Sequence, residues 1–216
     1  MASAAVEPSD TKERLARAGE QVFARDGIHG ARIRDINELA GQRNSSALHY
    51  HFGSRLELVS AILYDHQADI DAVVQAQLDA LDASDREPSV RDVVTAVVTP
   101  MVTKLRTDSG RDWARIVPQM MPIVSANLRR GLLRPTTPQS DRVVALLNAR
   151  LADLDETVRR ERLVDYSIIL TSLLAERAHT LARAEPPALD ERQFIAHLAD
   201  VLTSALTAPS SVQIAR

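Results

Sequence analysis

The stretch of this 216-residue sequence with the clearest capacity for chemistry runs from Ser45 to Phe52. Read as a short helix, it puts Leu48 and Phe52 four residues apart on the side that faces a core, and turns Ser45, Ser46, His49 and Tyr50 elsewhere. Small hydroxyls at a helix start permit close approach of a partner, and the positive end of the helix dipole there favours phosphate. Residues 33–52 supply the remaining parts of a DNA-reading pair: a first helix with Ile33, Ile36 and Leu39 on one side, a turn at Gly41, and a second helix whose outer face is small and polar enough for a major groove. The Tyr50 hydroxyl has two uses open to it, a phosphate bond or closure of the turn against the next helix. His49 and His51 diverge by about 200° on a helix and cannot chelate one ion without a third partner, so no metal is expected. Arg34 and Arg55, taken singly, read as solvated helix-end charges.

The elements that must position these residues are helices. Glycine is scarce, at 7, aromatic content is 3%, and the chain is dense in Ala, Leu, Arg, Glu and Asp, most of them side chains that lose little freedom in a helix. An all-α fold follows. With no cysteine, neither a disulfide framework nor a thiolate metal site can form. No run of about 18 apolar residues and no signal-peptide pattern is present, so a cytoplasmic protein with no membrane partner is expected. The net charge of −3 is distributed unevenly: residues 1–55 carry eight Lys/Arg against seven Asp/Glu, and the excess of acid lies beyond them. The sign suits a basic N-terminal face, although only the few cations that meet phosphate matter.

Punctuation predicts nine helices. Asp10 and Glu13 have capping-box spacing, and Leu15, Ala18, Val22 and Phe23 follow at helical intervals up to Gly27, giving a first helix over 11–26. Helices over 33–40 and 45–52 come next. Ser54 and Glu57 form a second capping box that opens a long amphipathic helix with Val59, Ile62, Leu63, His66, Ile70, Val73 and Val74 on its apolar stripe. Helices are then expected over 90–105, kinked at Pro100, over 110–127, interrupted by Pro118 and Pro122, and over 139–154, 156–184 and 190–207. The division expected is a helix-turn-helix domain over 1–55, a helical ligand-binding and dimerisation domain over 56–208, and a disordered tail over 209–216.

Several runs together carry a family resemblance. Val22-Phe23-Ala24-Arg25-Asp26-Gly27, then Ile33-Arg34-Asp35-Ile36, Ala40-Gly41, and His49-Tyr50-His51-Phe52-Gly53-Ser54-Arg55 resemble the TetR family of transcriptional regulators, over about residues 11–60. The resemblance implies a homodimer whose paired helices read a roughly palindromic operator in double-stranded DNA, and a helical body that releases DNA when a small-molecule effector binds. It places base and phosphate contacts on Arg43, Asn44, Ser45, Ser46, Ala47, His49 and Tyr50, with Arg34 and Arg55 at positions that touch phosphate. Two departures stand out. The stretch from Gly41 to Phe52 is one residue longer than the family's, so the register at Arg43 and Asn44 is open. Ala31-Arg32 also replaces the usual Ser or Thr cap before the second helix.

For the effector, the large or adaptable side chains His66, Met101, Trp113, Met120 and Tyr166 are the candidate pocket residues, against the plainer reading of each as core. His66 fits a satisfied core histidine better than a ligand contact. A mainly apolar effector is expected, since no cluster of inward charges is visible. Leu170, Leu173, Leu174, Phe194, Leu198, Val201 and Leu202 give the last two helices apolar faces that fit ordinary core or, by resemblance, a dimer interface. Two copies would set recognition helices about 34 Å apart, the spacing of successive major grooves. No metal, nucleophile or phosphate-loop motif and no cofactor signature is present, so an enzyme is not expected. A helical protein-interaction or structural module is the alternative.

Overall fold

The computed structural model describes residues 8–44, 46–129 and 137–212. Among them are nine α-helices and no strand: α1 (Pro8–Asp26), α2 (Ile33–Leu39), α3 (Ala47–Phe52), α4 (Arg55–Asp82), α5 (Val90–Lys104), α6 (Asp108–Arg129), α7 (Pro138–Arg150), α8 (Glu156–Ala182) and α9 (Glu191–Thr207). No helix is long and apolar enough to cross a membrane among the described residues.

Buried apolar side chains fall into two clusters. The smaller gathers Leu15, Val22 and Phe23 of α1, Ile36 of α2 and Leu48 of α3, and is completed by Leu58, Val59 and Ile62 of α4 and Ile116 of α6. Residues beyond 55 are therefore part of the packing that holds α3. The larger cluster is built from α4 to α9, with Ile70, Val74 and Leu78, Val93 and Val98, Trp113, Leu147, Leu170, Leu174, Leu198 and Leu202 among its members. Two helices contribute to both clusters: α4 and α6. A shift of either one is felt by both cores, because packed interiors transmit displacement instead of absorbing it.

Helix ends show where local chemistry decided and where packing did. Ser54 caps α4, its side chain accepting from the Glu57 amide at 3.2 Å. Asp10 does not cap α1; it lies within the helix, which is described from Pro8, and pairs with Arg14 at 3.4 Å instead. Pro118 and Pro122 do not interrupt α6, which runs unbroken along α8 and across α1; tertiary packing outweighs the lost amide donors. The reciprocal box at α5 is the strongest cap. Ser89 accepts from the Asp92 amide, Asp92 accepts from the Ser89 amide, and Arg86 holds the same carboxylate at 2.7 and 3.0 Å. Arg86 first, then Ser89, hold the Asp92 carboxyl well below its usual range. A depressed folded pKa contributes stability above the unfolded value near ~3.9 and loses it as pH falls through the folded value. Ser89→Ala is expected to cost about 1 kcal/mol in thermal unfolding at pH 7, and Asp92→Asn to flatten the acid limb of the stability curve.

Candidate functional site

The helix-turn-helix presents one clean exposed face. On α3, Ser46, His49 and Tyr50 are exposed at i, i+3 and i+4, and Tyr50 keeps 84% of its surface open. A tyrosine so exposed contributes little to the core, which is notable beside the buried Leu48 of the same six-residue helix. Arg34 projects from α2 and is held by Glu38 at 2.6 Å, an exposed i,i+4 pair that a phosphate can displace. Arg43 and Asn44 are exposed in the turn. The Asn44 side chain accepts from the Ser46 amide at 2.9 Å, and the Gln42 amide donates to the Asn37 carbonyl at 2.8 Å. With Gly41 at a φ of 69°, these bonds order the turn, and α3 is described from Ala47. Ser45 itself lies outside the described residues. Arg32 occupies the N-cap position of α2, and no side chain caps that helix.

Two residues expected to touch DNA are placed elsewhere. Ala47 is buried in the N-terminal cluster beneath α3. Arg55 turns inward, and its Nη1 donates to the carbonyls of Ile28 and His29, each at 2.9 Å. It pins the start of α4 to the α1–α2 loop. From the other side, Gln119 of α6 grips that loop by accepting from the Ile28 amide at 2.8 Å.

A buried polar cluster lies where α1, α4 and α6 meet. Glu20, only 3% exposed, accepts from Ser109 Oγ at 2.9 and 3.1 Å, from His66 Nε2 at 2.5 Å and from Arg17. Arg17 also meets Asp112 at 2.9 Å, and Asp112 pairs with Arg115. Burial works against the Arg17 charge, but Glu20 and Asp112 outweigh it and raise its pKa above the ordinary value. His66 stacks on Trp113 at 5.7 Å between centroids. These partners assign the imidazole proton to Nε2. Neither Glu20 nor Ser109 was a sequence candidate, and their separation of 89 residues left no signal to find them by.

The helical body contains a cavity of about 220 Å³ between α4, α5, α7 and α8. Met101 and Tyr166 line it, together with Gln67, Asp71 and Leu170. His66, Trp113 and Met120 do not: the first two form the stacked pair at the polar cluster, and Met120 packs against the N-terminal core. Tyr166 is 7% exposed, its hydroxyl has no hydrogen-bond partner among the described residues, and burial pushes its pKa far up, so it remains a neutral donor. Asp71 could have been singled out from the sequence, as a carboxylate next to Ile70 and one turn before Val74 on the apolar stripe of α4.

On α8 and α9, Leu170, Leu174, Phe194, Leu198 and Leu202 are buried in the protomer's own core. Side chains already enclosed have no surface to offer a second copy, which corrects their assignment to a dimer interface. Leu173 and Val201 are partly exposed.

A short helix with an exposed polar face, seated on a small core and joined through two shared helices to a larger helical body, defines a helix-turn-helix protein of two packed cores. The chain has the fold of the TetR-like transcriptional regulators. Among solved structures it is similar to a TetR-like transcriptional regulator from Rhodococcus sp. RHA1, with a TM-score of 0.56 and 14% identity over 91% of this chain and 93% of that one. It is also similar to a probable transcriptional regulatory protein, RHA5900, with a TM-score of 0.51 and 19% identity over 92% of this chain and 100% of that one. Among curated proteins it is similar to the HTH-type transcriptional repressor NicS of Pseudomonas putida, 28% identical over 147 residues, which cover 57% of this chain and 66% of the repressor. The match thus spans just under two thirds of that relative's length. No protein-family model matches the sequence.

Proposed function

We propose that the protein is a ligand-responsive transcriptional repressor that binds a palindromic operator as a homodimer and leaves it when a small molecule fills the cavity between α4 and α8. The observation that carries this reading is the exposed face of α3, where Ser46, His49 and Tyr50 stand clear of a core that the same helix anchors through Leu48. The similarity to a named repressor supports the sign of regulation.

The coupling follows from which helices are shared. Gln67, Ile70 and Asp71 line the cavity, and Leu58, Val59 and Ile62, about one and a half to three and a half turns earlier on α4, belong to the core that holds α3. An occupant that favours a displaced α4 shifts the population toward a conformer whose paired recognition helices no longer match the operator. The Glu20 cluster fixes the resting arrangement by tying α1 to both α4 and α6.

Arg34→Ala and Tyr50→Ala test the DNA face. Each is expected to weaken operator binding with the protein's assembly state unchanged. A hydrogen bond to a charged phosphate is worth ~1.5–3 kcal/mol, so the loss at Tyr50 is about ten- to hundredfold. Removal of Arg34 should also lower the salt slope of binding by about 1. Gel shifts at matched salt provide the measurement. Unaltered affinity in both variants would remove the assigned face, and a protein without sequence-selective DNA binding would be a helical interaction module.

A further inference from the structure

We infer that the effector is a small organic cation: an apolar body of roughly ring size carrying a protonated nitrogen that binds Asp71. This rests on the proposed role of the cavity as the effector site and specifies the chemistry that site selects.

Asp71 is 8% exposed and lines the cavity. Among the described residues its one hydrogen bond comes from Gln67 Nε2 at 2.7 Å, a neutral donor one turn away on the same helix. No Lys, Arg or His lies within ion-pair distance of it among the described residues, which contrasts with Glu20 and Asp112, whose carboxylates are each met by an arginine. A carboxylate withdrawn from water without a cation is costly, and such groups occur where a partner arrives from outside.

The other polar side chains around the cavity are already engaged. Thr171 Oγ1 donates to the Ser167 carbonyl at 2.8 Å, Ser167 Oγ to the Leu163 carbonyl at 3.0 Å, and Ser140 pairs with Thr137 at 2.9 Å. Gln139 Nε2 reaches Gln75 Oε1 at 3.4 Å, so among the described residues what remains is the carboxylate, the side-chain oxygens of Gln67 and Gln139, and the unpartnered Tyr166 hydroxyl. The rest of the wall is aliphatic, including Val74, Met101 and Leu170. Such a wall admits a cation with an apolar body and rejects an anion, which would lose its hydration beside a like charge. The volume of about 220 Å³ exceeds the ~150 Å³ of a cavity that holds benzene, leaving room for one ring and a short chain that reaches Asp71. An acceptor atom on the ring would meet the Tyr166 hydroxyl.

The test uses the full chain and three probes of similar size, 2-phenylethylamine, propylbenzene and phenylacetate, in calorimetric titrations and thermal shifts at neutral pH. The amine is expected to bind about tenfold or more tighter than propylbenzene, because its charge-assisted hydrogen bonds have no counterpart in the hydrocarbon. Phenylacetate is expected not to bind. Asp71→Asn should reduce amine affinity by about tenfold or more and leave propylbenzene unchanged. Should that variant fold poorly, the order of the three probes on the native chain still decides. Equal binding of amine and propylbenzene, preference for phenylacetate, or undiminished amine binding by Asp71→Asn overturns the cationic effector while the cavity keeps its role. No binding by any of the three removes the cavity reading and this inference with it.

Discussion

Glu20→Ala is expected to lower the unfolding free energy by about 3–5 kcal/mol, the range for removing one member of a buried ion pair. Several groups depend on this carboxylate. Without it His66 Nε2 and Ser109 Oγ lose their acceptor in a pocket that Arg17, Asp65 and Asp69 also line, and Arg17 keeps only Asp112. The side chain of Arg17 is 36% exposed, so solvent recovers part of its loss and the lower half of the range is expected. The chain has one tryptophan, Trp113, and it stacks on His66. Urea unfolding followed by its fluorescence therefore reads the cluster itself. Glu20→Gln should fall between the native chain and Glu20→Ala, since an amide keeps the volume but presents one oxygen where two accept. A loss under about 1 kcal/mol for Glu20→Ala would mean that the cluster is solvated and does not hold α1 to α4 and α6.

Much of the architecture was legible in the sequence because helices announce themselves locally. Ser54 caps α4 as its spacing from Glu57 requires, and the apolar intervals of α1, α4, α8 and α9 mark most of the faces that are buried, although Val73, placed on the α4 stripe, is exposed. Asp10 lies inside α1, so its spacing from Glu13 marks no cap, and it pairs with Arg14 on the helix surface. Prolines at 118 and 122 argue locally for a break, but α6 packs against both α8 and α1, and that packing cannot be seen in sequence.

The candidate site divides along the same line. Exposed faces follow from periodicity, so Ser46, His49 and Tyr50 were found together. Ala47 and Arg55 were carried over from a family pattern, and here the extra turn residue and the carbonyls of Ile28 and His29 give them other tasks. Trp113 was expected at the cavity because of its size. The structure assigns it to His66, whose plainer reading as a partnered core histidine is the one that fits. The partner, Glu20, lies 46 residues away, and nothing local connects them.

Leu48→Ala is expected to cost about 2–5 kcal/mol and to abolish operator binding, and the physical reason lies in the shortness of α3. Six residues make fewer than two turns, and a helix of that length does not persist in water unaided. Leu48, 2% exposed, anchors it in the N-terminal core, and Phe52 packs against the edge of that core with Lys12 Nζ 5.6 Å from its ring. Cutting Leu48 back to a methyl leaves a cavity and removes the anchor, so the exposed Ser46, His49 and Tyr50 lose their fixed presentation. Tyr50→Ala is the contrast: Tyr50 is outside the core, and its removal should leave the melting temperature within experimental error while operator affinity falls. Thermal unfolding and gel shifts on both variants separate the two effects. If Leu48→Ala binds operator like the native chain, α3 does not read DNA. If Tyr50→Ala destabilises the fold as much as Leu48→Ala does, its hydroxyl and ring close the turn, and the phosphate contact must be sought at Arg34 or Arg43.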